Sequence, residues 1–139
     1  MTQVMKQPKL TWPEGDFDHA PFLNLGAKAS PCFWTAKGML FDGDCLEVLP
    51  QLRSETVDTV FADPPFNLGK EYGAKSNDSL SDAEYLRWCR QWIAESVRIL
   101  RPGGSFFLYN LPKWNIHLGV ALESCGLTFR HWIAIEISA

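Results

Sequence analysis

One short motif, Asp63-Pro64-Pro65-Phe66, combines a carboxylate, two prolines and an aromatic ring, and its residue types are suited to chemistry. Consecutive prolines fix φ, remove two backbone donors and disfavour helical geometry in the residue before each of them. We therefore expect a stiff, extended turn whose carbonyls find no easy partner inside the protein. This segment is called the Asp-Pro-Pro-Phe turn below.

The turn offers what is needed to activate an exocyclic amino group on a nucleobase. The lone pair of such a nitrogen is delocalised into the ring, which makes it a poor nucleophile. Asp63 and the Pro64 carbonyl can each accept one of its hydrogens, and rigid acceptors need not reorient during the reaction. Phe66 can stack on the base, which is worth about 1–3 kcal/mol and helps to offset base flipping. The alternative is a Pro-Pro turn without function.

Strand and helix patterns alternate around the turn. Val57–Ala62 is predicted to be a strand that runs directly into Asp63. Further strands are predicted at 39–41, 105–109 and 128–137. A short helix is predicted from Cys45, which Pro50 bends or restarts, and another helix over about 112–125, which ends at Gly126.

The longest predicted helix begins after Ser81, which forms a capping box with Glu84. Apolar residues then recur at helical spacing, namely Tyr85, Leu86, Cys89, Trp92, Ile93, Val97 and Leu100. Arg98 and Arg101 suit the end of this helix, and the sequence 102–104 (Pro-Gly-Gly) is predicted to stop it.

This order of elements predicts an α/β fold with a mostly parallel sheet flanked by helices. Ligands of such sheets bind at the carboxyl ends of the strands. Asp44 and Asp63 each follow a predicted strand, so both are expected at that edge. For Asp44, a tight Asp-Gly-Asp turn is the structural alternative.

The length of 139 residues favours one domain, and residues 37–139 are predicted to form it. Residues 1–36, with Pro8, Pro13, Pro21 and Pro31, are predicted to be an extension along its surface. The four cysteines and three histidines are too scattered for a metal site, and no apolar run is long enough to cross a membrane. A cytoplasmic protein with reduced thiols is expected.

The net charge of −3 does not favour a chain that grips DNA by itself, because such proteins usually present a basic face. Either the chain does not bind DNA, or the DNA-holding part lies elsewhere. Between Asp44 and Asp63 the local net charge is −4, from five carboxylates against Arg53. A cationic sulfonium would be stabilised near this segment, whereas a phosphate would not.

Two stretches, 41–49 and 57–68, resemble the start of bacterial and phage amino-methyltransferases of DNA, in particular the permuted group in which the catalytic motif precedes the glycine-rich cofactor motif. The stretch 98–106 is similar to the helix-to-strand turn that follows in that family. The resemblance implies part of a Rossmann-like fold that uses S-adenosylmethionine. It also implies methylation of an exocyclic amino group, with adenine favoured over cytosine because Asp63 leads the motif, and a link to restriction-modification.

The resemblance also implies individual roles. Asp63, Pro64 and Phe66 would bind and activate the amino group, and Pro65 would shape the turn. Asp44 and the Cys45 backbone would meet the adenine moiety of S-adenosylmethionine, and Asp63 would also lie near the cofactor. Residues 67–80 would lie near double-stranded DNA, where Lys70 and Lys75 are either phosphate ligands or ordinary solvated charges.

The family's glycine-rich loop, of the form Phe-x-Gly-x-Gly, has no match in the sequence. We therefore expect a truncated or split enzyme that has weak or no activity alone and a complementary C-terminal half as partner. A methyltransferase of RNA or of a protein amide is one alternative. An inactive prophage remnant or scaffold with the same fold is the other.

Overall fold

The computed structural model describes residues 18–69 and 79–136; Lys70 and Lys75 lie outside them. These ranges contain strands β1 (Phe33–Thr35), β2 (Gly38–Leu40), β3 (Val57–Ala62) and β4 (Leu100–Leu108), and helices α1 (Cys45–Val48), α2 (Asp82–Ile99) and α3 (Pro112–Ser124). Strand β3 has the predicted bounds, and the helices lie close to theirs.

Strands β3 and β4 form a parallel pair, in which Val60 lies beside Phe106 and Ala62 beside Leu108. Helix α2 connects them, which makes a β-α-β unit and confirms the predicted α/β class. Strands β1 and β2 form a separate antiparallel hairpin. Within the described residues, Asp44 and Asp63 therefore do not follow strands of the same sheet, contrary to the expectation of a shared edge.

The hydrophobic core lies between α2, α3 and one face of the β3–β4 pair. Its fully packed members come from the two helices and are Tyr85, Cys89, Trp92, Ile93, Trp114, Leu118 and Ala121. Ala62, Phe106 and Leu108 pack against this cluster from the sheet. The core thus joins the carboxyl end of β3 directly to both helices.

The capping box predicts the start of α2 correctly. Ser81 accepts a hydrogen bond from the Glu84 amide, and the Glu84 carboxylate accepts one from the Ser81 amide at 3.0 Å. The Ser81 hydroxyl also donates to the Glu84 carboxylate at 2.5 Å, and this hydrogen bond, followed by that from the Ser81 amide, holds the pKa of the Glu84 carboxyl below its usual range.

The predicted end of α2 is wrong by several residues. The helix ends at Ile99, and β4 begins at Leu100, so residues 102–104 lie inside the strand. They form a bulge, because Val57 pairs with Leu100 and Thr59 already pairs with Ser105. A Cβ at Gly104 would lie 2.7 Å from the Leu100 side chain, which explains why glycine is required there.

Pro50 restarts the helix, as predicted. α1 passes into a 3₁₀ turn, Leu49–Gln51, with the proline in its first turn. Arg98 of α2 donates hydrogen bonds to the carbonyls of Leu49 and Leu52, at 2.8 and 2.9 Å. The segment before β3 is thereby fastened to the end of α2.

Part of the predicted N-terminal extension, residues 24–29, lies along the 3₁₀ turn Leu49–Gln51. The backbone amide of Asn24 donates to the backbone carbonyl of Gln51 at 2.8 Å. The side-chain oxygen of Gln51 accepts hydrogen bonds from the backbone amides of Lys28 and Ala29. Strand β1 also lies before residue 37 and pairs with β2. The division of the chain at residue 37 stays a prediction.

The predicted final strand, 128–137, is wrong over its described part. Residues 128–136 pair with no strand of the described chain and have no regular structure. Their apolar side chains lie in solvent, with Ile133 67% exposed. The alternating pattern predicts a strand, but a strand also needs a neighbour to take up its backbone hydrogen bonds. Helix α3 ends as predicted, with Gly126 at φ 90°.

Candidate active site

The Asp-Pro-Pro-Phe turn leaves the sheet at the carboxyl end of β3. Just before it, the Ala62 carbonyl accepts a hydrogen bond from the Tyr109 amide at 2.9 Å, which extends the β3–β4 ladder by one step. The turn therefore begins from a fixed point, at the strand end where α/β proteins bind ligands. This is the position that the sequence predicts for Asp63.

Two carbonyls of the turn have partners, contrary to the prediction that none would be found. The Tyr85 hydroxyl donates to the Pro65 carbonyl at 2.7 Å. The Trp114 indole nitrogen Nε1 donates to the Phe66 carbonyl at 2.8 Å. Both donors come from buried faces of helices that are distant in sequence, so the residues of the turn alone do not predict these hydrogen bonds. The second half of the turn is thereby anchored to α2 and α3.

The first half of the turn is open. The Asp63 side chain is exposed, and within the described residues it forms no hydrogen bond or ion pair. None of the described residues donates a hydrogen bond to the Pro64 carbonyl either. Two adjacent acceptors thus remain available at the end of β3.

Phe66 and Tyr109 form an aromatic pair beside these acceptors. Their ring centroids are 5.6 Å apart with an interplanar angle of 64°, an edge-to-face arrangement. The Phe66 side chain is only partly buried. It is therefore held by one ring and still has surface that a planar ligand can contact.

Asn67 fixes the chain immediately after the turn. Its side-chain amide donates to the Leu80 carbonyl, and its side-chain oxygen accepts from the Leu80 amide, each at 2.8 Å. Its φ of 55° lies in the left-handed region, which asparagine tolerates better than most residues. These contacts close the segment 67–80 at its base.

Four residues that hold the turn were not predicted to do so, namely Asn67, Tyr85, Asn110 and Trp114. Asn110 is 8% exposed and donates to the Tyr85 hydroxyl at 3.0 Å. Tyr85 was identified as part of an apolar helix face, which is correct but incomplete. A buried tyrosine or tryptophan usually finds a partner for its polar atom, and that is the signal that could have indicated these contacts.

Asp44 and Cys45 lie at the start of α1. Asp44 caps this helix by accepting the Leu46 amide at 2.8 Å, a structural role that differs from the predicted alternative of a tight Asp-Gly-Asp turn. Burial, and to a lesser extent the Asp44 carboxylate, raises the pKa of the Cys45 thiol. Cys45 and Ala62 pack against the same core. The residues next to Asp44 and Asp63 in the chain are therefore held by one hydrophobic cluster.

The excess of negative charge between Asp44 and Asp63 is smaller in the structure than in the count from the sequence, because Arg101 lies beside this segment. Asp58 forms an ion pair with Arg101 at 2.7 Å, which offsets one of the five carboxylates. Asp44 and Asp63 have no ion-pair partner among the described residues. Their negative charge is therefore available to a cationic ligand.

Two cavities in the described part of the chain are lined by residues other than Asp44 and Asp63. One, of about 580 Å³, lies between residues 19–27 and Arg53, and the other, of about 220 Å³, lies at the β4 bulge. Residues 18–69 and 79–136 contain no cluster of three potential metal ligands. The same residues include no helix that is both long and apolar enough to span a membrane.

Comparison with known proteins places the site in a family. A family model described as DNA methylase matches residues 57–138, more than half of the chain, including the Asp-Pro-Pro-Phe turn. The chain is 50% identical over 107 residues to the type II methyltransferase M.BamHI of Bacillus amyloliquefaciens, which covers 77% of the chain and 25% of that protein.

Two further relatives are similar over shorter stretches. The type II methyltransferase M.HpaI of Haemophilus parainfluenzae is 32% identical over 95 residues, 68% of the chain and 30% of that protein. The DNA adenine methyltransferase YhdJ of Escherichia coli K12 is 35% identical over 71 residues, 51% of the chain and 24% of that protein. The chain thus spans between a quarter and a third of these relatives' length. It belongs to the DNA methylase family, the bacterial amino-methyltransferases of DNA that its motifs resemble.

Proposed function

We propose that the chain carries the catalytic turn of a methyltransferase that transfers a methyl group from S-adenosylmethionine to the exocyclic amino group of a DNA base. One observation carries the proposal. The Asp63 carboxylate and the Pro64 carbonyl are adjacent acceptors without a partner among the described residues, while the next two carbonyls are held by Tyr85 and Trp114. An amino group has two hydrogens, and this turn keeps two acceptors free.

The chain's own groups would act by holding and orienting the base. Accepting both amino hydrogens favours a more tetrahedral nitrogen, and this frees the lone pair for attack. Because the second half of the turn is anchored, the acceptors need little reorganisation as positive charge develops on the nitrogen. The partly exposed Phe66 ring would stack on the flipped base and help to keep it out of the duplex.

The residues present fit a cationic cofactor. S-adenosylmethionine, when bound, supplies an electrophilic methyl group on a sulfonium. Asp44 and Asp63 carry carboxylates without ion-pair partners in the described chain, and such charges stabilise a nearby cation. Asp44 and the Cys45 backbone would meet the adenine moiety of the cofactor. The catalytic set we propose remains Asp63, Pro64, Pro65 and Phe66.

Adenine is the base that we propose first. Asp63 leads the motif, and one relative is named a DNA adenine methyltransferase. Cytosine carries an amino group of the same chemistry, so the experiment below distinguishes the two products. The family membership favours DNA over RNA or a protein amide as the substrate class.

A complementary C-terminal half is the proposed partner, and double-stranded DNA would be held mainly by that part. The net charge of −3 and the exposed aromatic side chains of the sheet, Phe61 and Phe107, support this division. We expect the enzyme to act in the cytoplasm, where bacterial DNA lies. Alone, the chain is expected to methylate DNA very slowly or not at all.

A hybrid enzyme tests the proposal. The full chain replaces the matched 107-residue stretch of M.BamHI, and nucleosides from treated DNA are analysed by mass spectrometry for N6-methyladenine and N4-methylcytosine. We expect methylation by the hybrid and a loss on the order of 100-fold or more with Asp63→Ala, as for removal of one preorganised partner in other active sites. RNA serves as a second substrate.

Asp58→Ala is the matched control, because it removes an exposed carboxylate from the same strand. Its ion pair with Arg101 is on the surface and is worth about 0–1 kcal/mol, so methylation should change little. Retained activity in Asp63→Ala would overturn the proposed role. A folded hybrid without activity on DNA would overturn the proposed function.

A further inference from the structure

We infer that Tyr85, Asn110 and Trp114 are positioning residues that set the geometry of the two free acceptors in the Asp-Pro-Pro-Phe turn. The inference rests on the proposed function and deepens it. It assigns to two buried helix faces a role in the reaction that their apolar sequence pattern does not indicate.

The first step is the covalent rigidity of the turn. Pro64 and Pro65 fix φ at adjacent positions, so the main torsions left to orient Asp63 relative to the Pro64 carbonyl are ψ angles. A hydrogen bond to the Pro65 carbonyl restrains the peptide plane that follows Pro65. Tyr85 supplies it at 2.7 Å, the usual distance for a hydroxyl donor.

The second step is the fixed position of the donor. Tyr85 is 2% exposed, and its ring packs against Trp114 with centroids 4.6 Å apart. Asn110 donates to its hydroxyl oxygen at 3.0 Å, which leaves the hydroxyl hydrogen for the Pro65 carbonyl. Asn110 is itself fixed, because its side-chain oxygen accepts from the Leu111 amide at 2.8 Å.

The third step is the second anchor. Trp114 is 2% exposed and donates its indole N–H to the Phe66 carbonyl at 2.8 Å. Two consecutive carbonyls are thus bound by two helices that meet in one core. Helix packing therefore restrains the backbone that carries Asp63 and the Pro64 carbonyl. A shift of about 1 Å at such a site can cost on the order of 100-fold in rate.

Two variants remove the donors and keep an aromatic ring at each position. Tyr85→Phe removes the hydroxyl, and Trp114→Phe removes the indole N–H. In single-turnover methylation by the hybrid enzyme described above, we expect the rate constant to fall roughly 10–100-fold at saturating DNA. KM for DNA and the reaction amplitude, which reports the folded active fraction, should stay within about two-fold, because groups that bind DNA are untouched. Trp88→Phe is the control, since Trp88 packs against Tyr85, whereas the described donors to the turn carbonyls are Tyr85 and Trp114.

A measurement on the full chain alone tests the anchor without activity. The indole N–H of Trp114 should exchange slowly with solvent in nuclear magnetic resonance spectra, and the N–H of Trp132, 55% exposed, should exchange fast. Fast exchange at Trp114 would overturn the inference. A normal rate constant in both donor variants, or a loss of amplitude alone, would overturn it as well. The proposed function would still stand in that case, provided that Asp63→Ala loses activity. A folded but inactive hybrid would overturn both together.

Discussion

The two faces of the β3–β4 sheet differ in what covers them. On one face Val60, Ala62 and Phe106 lie under the helices, and the last two pack against the core. On the other face Phe61 and Phe107 are neighbours in register, yet they are 70% and 44% exposed. Parallel sheets are usually covered on both faces.

This difference separates the contacts that hold the Asp-Pro-Pro-Phe turn from the exposed apolar face of the sheet. The two hydrogen-bond donors to the Asp-Pro-Pro-Phe turn, Tyr85 and Trp114, belong to helices of the covered side, so the second half of the turn is positioned by contacts within the described residues. The open side contributes apolar surface and no anchor to the turn. The Asp-Pro-Pro-Phe turn is thus anchored while Phe61 and Phe107 stay exposed on the open face.

The largest expected effect tests whether the covered side supplies the stability. Trp114→Ala removes a buried indole and leaves the Phe66 carbonyl without its donor, so we expect a loss of about 3–5 kcal/mol in the free energy of unfolding. Trp132→Ala, at an exposed tryptophan in the segment after α3, should change it by less than about 0.5 kcal/mol. Urea denaturation measures both. Equal losses would contradict the distinction between the two sides.

A pH titration sharpens the same distinction at the core. Cys89 is fully buried by α2 and its neighbours, and this burial raises the pKa of its thiol to about 11 from 9.0. The folded protein then keeps the proton at pH values where the unfolded chain has lost it. The stability that comes from the neutral thiol is complete below pH 9 and is lost as pH rises to about 11. Its size is roughly 2–3 kcal/mol.

The measurement compares wild type with Cys89→Ala. Between pH 8 and pH 11, the wild type should lose more free energy of unfolding than the variant, since other titrating groups are common to both. Cys125→Ala removes an exposed thiol and should keep the wild-type pH profile. If Cys89→Ala and wild type lose the same free energy over this range, Cys89 does not sit in a dry core.

How much the sequence predicts depends on the range of the interactions. The strand Val57–Ala62, the capping box of Ser81 and the restart at Pro50 depend on neighbours within a few residues, and the structure confirms them. Asp63 is also found at the predicted strand end. The roles of Asp63, Pro64, Pro65, Phe66, Asp44 and Cys45 in catalysis and cofactor binding stay predictions.

What the sequence does not predict depends on distant partners. The anchors of the turn join residues 20 and 48 positions apart, and no periodicity reports such pairs. The segment 128–136 has the alternation of a strand but no neighbouring strand in the described chain. The β4 bulge likewise exists because Gly104 fits beside Leu100, a contact that emerges only from the packed structure.

The smallest expected effect on stability tests the open face directly. Phe107→Thr replaces a ring that is 44% exposed with a residue that also favours strands, so the free energy of unfolding should change by less than about 1 kcal/mol. Phe106→Thr, one position earlier on the covered face, removes core contacts and should cost about 2 kcal/mol or more. Chemical denaturation of the two variants gives the comparison.

The variants Phe107→Thr and Phe106→Thr also distinguish an effect on folding stability from an effect on self-association. Because Phe61 and Phe107 form an apolar patch on the open face, Phe107→Thr should reduce self-association of the chain, which sedimentation velocity over a range of concentrations measures. If Phe107→Thr destabilised the protein as much as Phe106→Thr, the outer face would be part of the core. If it left association unchanged, the chain would use another surface for self-contact. The expected result is a folded protein in which only contact with other molecules has weakened, because the hydrogen bonds that hold the Asp-Pro-Pro-Phe turn come from the covered side.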